Sequence, residues 1–311
     1  MKKVLLDFDI GTEIDDAIAL AYLLANPECE LVGITTSCGE SIKRAEMASV
    51  LCRAAGKKVP IHAGCERPLL IPQMETTAPQ AAILPHYEHD TGFAPNTAIP
   101  FMQKVIRENP GEVTLLAVAP MTNLGLLFAM DPELPELLDG LYLLCGSPTH
   151  QRHDVVTESL SAMERDDFIR VLASQGTLEN NSIVDPHATS IVYRARCRNF
   201  VNIGNNVSSR VVMTPEEAER RFRHPIMQVV MSIAREWFKD EPRVSFHDPL
   251  AAVCIFNDDV CSYKRGYMDC VLDSRLLGGM TIFREDPAGP HQVAWDVDGD
   301  KFFEHLFEVF A

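Results

Sequence analysis

The 311-residue chain has no apolar run of the roughly 18–20 residues that a membrane-spanning helix needs. Its start, MKKVLLDFDI, has two lysines, but the short apolar stretch is interrupted by Asp7 and Asp9. That pattern predicts a first strand and not a secretion signal. Positive charge is scarce: 28 Lys and Arg face 44 Asp and Glu, for a net charge of −16. Phosphate backbones and anionic lipid repel such a chain, so general nucleic-acid or membrane-surface binding is not expected. Cysteine lacks the spacing of a zinc or redox site, with nine residues, an odd number, and no CxxC. Cys52, Cys145 and Cys254 lie inside apolar runs, which predicts buried free thiols in a reducing cytoplasm. Internal repeats and low-complexity linkers are also missing, so a single domain over residues 1–311 is expected.

What is there is alternation. Strands are predicted at Val4–Ile10, Glu30–Ser37, Val59–Gly64, Val113–Ala119 and Leu141–Cys145. Between them, Ile14–Ala25, Ser41–Ala55, Asn96–Glu108 and Met121–Ala129 read as helices. Repeated β-then-α units predict an α/β fold, a Rossmann-like, mostly parallel central sheet flanked by helices. In such sheets ligands bind beyond the carboxyl ends of the strands. Residues 147–178 are polar and charged, with a helical stretch near Ser159–Ser174, and read as an insertion or lid. Weak strand signals follow over Ile203–Met213. Thr214-Pro215-Glu216-Glu217 opens a helix, and a second covers Pro225–Lys239. Tyr267–Ala294 alternates in β fashion around Gly278-Gly279, and Asp300–Phe310 closes as a helix.

The chemistry is concentrated in Asp7-Phe8-Asp9-Ile10-Gly11-Thr12-Glu13-Ile14-Asp15-Asp16. Asp7 and Asp9 are two apart on a strand, so both project to one face. Gly11 permits a tight turn, and Asp15 and Asp16 fall at a helix start. Three carboxylates delivered to one spot repel each other unless a cation or shared protons offset them. Hard oxygen ligands favour Ca²⁺ or Mg²⁺ over zinc. A second feature is Phe246-His247-Asp248-Pro249-Leu250. Asp248 precedes a proline, which predicts extended geometry at a loop–helix junction, and His247 beside it is a candidate proton donor.

These blocks resemble the inosine–uridine-preferring nucleoside hydrolases. The Asp7–Leu20 string is similar to that family's N-terminal aspartate motif, with two extra residues before the Asp pair. Gly33-Ile34-Thr35-Thr36, the turn Ala63–Leu69, Val118–Asn123, Glu179–Pro186 and Phe246–Leu250 match its further blocks in order. The resemblance implies Ca²⁺-dependent hydrolysis of a ribonucleoside to ribose and free base. It implies Asp9 as metal ligand and general base, Asp16 and Asp248 as ligands, and the Val118 carbonyl completing the shell. It implies Asp15, Glu179 and Asn181 on the sugar, Asp7 as an orienting residue behind them, and His247 protonating the leaving base. A cytoplasmic homodimer or homotetramer in purine or pyrimidine salvage is implied as well.

The chain also departs from that pattern. The ribose-binding Asn expected after Thr35-Thr36 falls on Glu40, which accepts but cannot donate. A second expected Asn falls near Ala173, and the aromatic that stacks on a base falls on Asn180. The segment between Gly146 and Glu179 is long and carries His150, Arg152, His153, Asp154, Arg165 and Arg170. Tyr87, His89, Phe93 and Trp237 are candidates for a base pocket. Two other readings compete. Asp7-Phe8-Asp9 also suits a haloacid-dehalogenase-like phosphatase with Asp7 as nucleophile, and the altered sugar contacts suit a non-catalytic ribose- or nucleoside-binding protein.

Overall fold

The computed structural model describes residues 1–148, 178–239, 241–274 and 276–311. The expected insertion at 147–178, with its helix, lies almost wholly outside the described residues. The strands are β1 (Lys2–Phe8), β2 (Cys29–Thr36), β3 (Ile61–Ala63), β4 (Val113–Ala117), β5 (Gly140–Leu144), β6 (Phe200–Ile203), β7 (Val212–Met213), β8 (Val244–Ser245), β9 (Cys261–Cys270), β10 (Thr281–Glu285) and β11 (His291–Val297). The α-helices are α1 (Asp15–Ala25), α2 (Ser41–Ala54), α3 (Ala98–Glu108), α4 (Thr122–Met130), α5 (Asn180–Val184), α6 (Pro186–Tyr193), α7 (Asn205–Ser208), α8 (Pro215–Arg221), α9 (Pro225–Trp237), α10 (His247–Val253) and α11 (Gly299–Glu308).

Nine strands form one sheet in the order β10-β9-β11-β6-β5-β4-β1-β2-β3. From β3 to β11 every neighbouring pair is parallel; β9 is antiparallel to both β11 and β10. The α/β, Rossmann-like architecture read from the sequence is the one observed. The strand β1 is apolar on both faces because helices cover both. Val4, Leu6 and Phe8 enter one core with Ile18, Leu23 and Phe246, and Leu5 enters the other with Leu115 and Leu141. Such two-sided burial is what makes its sequence continuous rather than alternating.

Three local expectations change. The strand predicted over Val113–Ala119 stops at Ala117, which leaves Val118 beyond the pairing. Ile203–Met213 is not one strand: α7 separates β6 from β7. Asp248 lies in the first turn of α10 despite the proline after it. The cause is Asp15, whose Oδ2 accepts the N–H groups of His247 and Asp248 at 3.1 and 3.2 Å and holds that turn. Thr214 caps α8 as expected, accepting from Glu217. All nine cysteines are free, and all but Cys65 and Cys197 are buried. Among the described residues, no helix is long and apolar enough to cross a membrane.

Candidate active site

The loop between β1 and α1 sits at the carboxyl edge of the parallel sheet. Gly11 turns it at φ +122°, where a Cβ would meet Ala78 and Met47 at 3.0 and 3.1 Å. The turn brings Asp9, Thr12, Glu13, Asp15 and Asp16 to one cavity of about 110 Å³. Val118 and Leu144 reach it from the ends of β4 and β5. Glu179, Asn180 and Asn181 reach it from the start of α5, and His247 and Asp248 from α10. Asn205 and Glu75 complete the wall.

Carboxylate oxygens of Asp15, Asp16 and Asp248 all lie within 4.8 Å of one another, and all three residues are buried. Asp9 groups separately, with Cys38 and Glu75 within the same distance. It is joined to the first set by its backbone N–H, which donates to Asp16 Oδ1 at 3.2 Å. Burial pushes Asp9 up to about 8; the Arg44 guanidinium opposes the rise, while Glu75, Asp15 and Asp7 add to it. Asp16 and Asp248 stand well above the usual carboxylate range, first through burial and then through their acidic neighbours. Asp15 is raised by burial too, against the pull of His247 and of the amides it caps. A cage of this kind holds protons or exchanges them for a cation. Hard oxygens this close fit a divalent ion of the Ca²⁺ or Mg²⁺ type. The Val118 carbonyl, which accepts from Asn181 Nδ2 at 2.8 Å, keeps a second lone pair for it.

The remaining sequence-derived residues divide. His247 lines the cavity, with Nδ1 2.7 Å from Ser208 Oγ; burial lowers its pKa and the Asp15 charge opposes that. Glu179 lines it but also caps α5: Oε1 accepts from Asn181, and Oε2 from Gly146 and Ser182. Asn181 spends its amide hydrogens on the carbonyls of Val118 and Leu144. Asp7 is fully buried behind the cavity, at 0% exposure. It accepts from Thr35 Oγ1 at 2.6 Å and Asn123 Nδ2 at 2.8 Å, and burial raises it to about 7 against both bonds. The strand expected over Val4–Ile10 ends at Phe8, so β1 keeps Asp7 while Asp9 reaches the cavity from the loop just beyond it, and a phosphatase with Asp7 as nucleophile has no substrate access to it.

Glu40 is not brought to the cavity. Its Oε2 accepts from the Ala78 N–H at 2.9 Å and its Oε1 meets Lys43 at 2.5 Å. Of the four aromatic-pocket candidates, Trp237 alone lines a neighbouring cavity of about 350 Å³, which shares Thr12 with the acidic one. Tyr87 donates to Ser232 and His89 faces the Tyr87 carbonyl.

Sequence reasoning missed Leu144, Asn205, Glu75 and Arg44. Glu75 stands in a loop with no periodic signal. Arg44 is fully buried on the inner face of α2 and ties the site together. Its guanidinium donates to the carbonyls of Asp9, Ile10, Gly39 and Thr77 and to Thr12 Oγ1. A charge on the stripe shared with Ala48 and Leu51 was the available clue.

Fold and site together define an α/β enzyme with a carboxylate-lined centre at the strand ends. Residues 4–304 match the model of the family described as inosine-uridine preferring nucleoside hydrolase. The chain belongs to that family, whose members are glycosidases that cleave the N-glycosidic bond of nucleosides. It is 27% identical to the inosine-uridine preferring nucleoside hydrolase of Crithidia fasciculata, over 97% of this chain and 95% of that one. Uridine nucleosidase 1 of Arabidopsis thaliana is 24% identical, over 98% and 92%. A plant nucleoside hydrolase of known structure superposes with a TM-score of 0.78 at 21% identity, covering 99% and 98%, and so has the same fold.

Proposed function

We propose that this chain hydrolyses ribonucleosides to ribose and free base, with Ca²⁺ as cofactor and Asp9 as general base. The observation that carries the reading is the convergence of Asp9, Asp15, Asp16, Asp248 and His247 on one cavity from three separate elements. Asp9, Asp16, Asp248 and the Val118 carbonyl would hold the cation, with Asp15 in reach. When bound, it supplies Lewis-acid polarisation of water and sugar hydroxyls. Asp9 has no side-chain hydrogen bond among the described residues, so its carboxylate is available to take the proton of the attacking water. Asp15 spends Oδ2 on the α10 amides and keeps Oδ1 for a sugar hydroxyl. Glu179 and Asn181, buried nearby, supply acceptor oxygens that favour the positive charge developing on the sugar. His247, anchored through Nδ1 on Ser208, turns Nε2 to the leaving base as donor.

Release of free base from uridine and inosine by the purified chain, before and after EDTA treatment and with Ca²⁺ restored, tests this. Turnover that EDTA abolishes and Ca²⁺ restores is expected. Binding of nucleosides without release of base, Ca²⁺ present, would instead make the protein a binding module.

A further inference from the structure

Resting on the hydrolase reading above, we propose that Glu75, with Glu13 beside it at the pocket mouth, selects nucleosides whose base carries a positive charge. Three observations lead there. The acidic cavity, at about 110 Å³, is well below the roughly 300 Å³ of a pocket that takes a whole small molecule. Its deep end is the buried Asp15–Asp16–Asp248 cage, which suits the hydroxyls of a sugar. The base must then lie at the mouth, among Thr12, Glu13, Glu75 and Asn180, which are half-buried or exposed.

The second observation is how that mouth is built. Asn180 Nδ2 donates to Glu75 Oε1 at 2.6 Å, and the Cys38 thiol lies 3.6 Å from Oε2. Glu75 is thus held in place rather than free to turn into solvent. The third is charge balance. No lysine or arginine among the described residues lines this cavity or the neighbouring one that holds Trp237. Two carboxylates at one opening attract a cationic heteroaromatic ring by Coulomb terms. The bookkeeping of the reaction suits such a substrate. As the C1′–N bond breaks, its electron pair neutralises the ring nitrogen, water adds to C1′, and the released proton goes to Asp9. The base departs neutral and needs no proton donor.

The test compares N-ribosyl-3-carbamoylpyridinium, a fixed cation, with uridine and inosine in the wild-type protein and in Glu75→Gln and Glu13→Gln. Taking the charged-to-neutral ratio of kcat/KM in each protein, then comparing proteins, cancels the intrinsic lability of each substrate. The ratio is expected to fall at least tenfold in Glu75→Gln and less in exposed Glu13→Gln. It should also fall in the wild type as NaCl rises from about 50 to 500 mM, since the mouth is open to screening. A ratio unchanged in both variants, with neutral nucleosides still cleaved, overturns this inference and leaves the hydrolase reading intact. No cleavage of any of the three by the wild type overturns both.

Discussion

Two carboxylate constellations lie close together at the sheet edge, and they differ in what fills their lone pairs. Asp185 accepts from three protein donors: the Leu69 N–H at 2.9 Å, Thr122 Oγ1 at 2.8 Å and the Ala188 N–H at 3.0 Å. Asp7 is closed on one oxygen only: Oδ1 accepts from Thr35 and Asn123, while its buried Oδ2 has no hydrogen-bond partner among the described residues. Asn123 also accepts from the Cys65 N–H, and Gly64 has no side chain because a Cβ there would meet Asn123 at 2.4 Å. Asp9 and Asp248, in contrast, have no side-chain hydrogen bond among the described residues, and Asp16 has only the Asp9 amide. Buried polar groups are normally satisfied inside the protein. The closed Asp185 knot therefore holds the fold, and the open set is left for something from outside.

The largest effect should come from the open set. Asp9→Ala is expected to lower kcat/KM for the best nucleoside by about 10²–10⁴-fold, the usual contribution of a general base. Stability should hold or rise in the cation-free protein, because the change removes a buried acid whose ionisation burial and its acidic neighbours oppose. Kinetics and thermal melting in EDTA, on the same preparation, check this; near-wild-type turnover would remove Asp9 from its role.

Asp185→Ala should show the reverse. It strands buried donors at Thr122 and Ala188 and a half-buried one at Leu69, so a loss of about 3 kcal/mol is expected from denaturant unfolding. Any activity loss should track the unfolded fraction. A variant as stable as wild type but inactive would move Asp185 into the open set and break the comparison.

That contrast also explains what the sequence allowed one to read. The β–α alternation and the buried strand β1 follow from hydrophobic period, so fold class and element order were legible. The acids of the cavity were legible because Asp9, Asp15, Asp16 and Asp248 stand where strands end and helices begin. The number of donors facing each acid was not, since those donors come from distant segments. Asp185, Glu179 and Asp15 carry the same charge in sequence, yet Asp185 is fully enclosed and the other two each cap a helix while lining the cavity. Arg44 and Glu75 stayed hidden for the same reason: their roles exist only through carbonyls and amides brought up by folding.

A closed knot of a different kind lies far from the cavity, in β11. His291 is buried; Nδ1 accepts the Met268 N–H at 2.8 Å and Nε2 faces the Tyr193 carbonyl at 3.0 Å. Burial holds its pKa down to about 4, against 6.5 for the ordinary group. The unfolded chain thus binds a proton that the folded one refuses between these values. Its stabilising contribution is full above about pH 6.5 and is lost as pH falls towards 4. At pH 5 the loss amounts to about 2 kcal/mol. His291→Gln should flatten this slope, so the wild-type-minus-variant difference in unfolding free energy is the quantity to follow between pH 7.5 and 5. A pH-independent difference would mean that His291 charges freely in the fold.

The smallest effect sharpens the boundary between the two sets. Glu40 occupies the position where the family resemblance puts a sugar-binding amide, and it stands in the left-handed region at φ 57° in the same turn as Cys38 at φ 69°. Its carboxylate is turned away to the Ala78 amide and Lys43, which together hold its pKa below the usual range, Lys43 foremost. Glutamine keeps an acceptor for Ala78 and gives up only an exposed ion pair. Glu40→Gln is therefore expected to change kcat/KM by no more than about threefold. Were Glu40 a sugar ligand, restoring an amide there would move KM for the nucleoside by far more, with Lys43→Met leaving it untouched. Equal, small effects of the two substitutions would show that the carboxylate supports the loop and that sugar recognition rests with the acids inside the cavity.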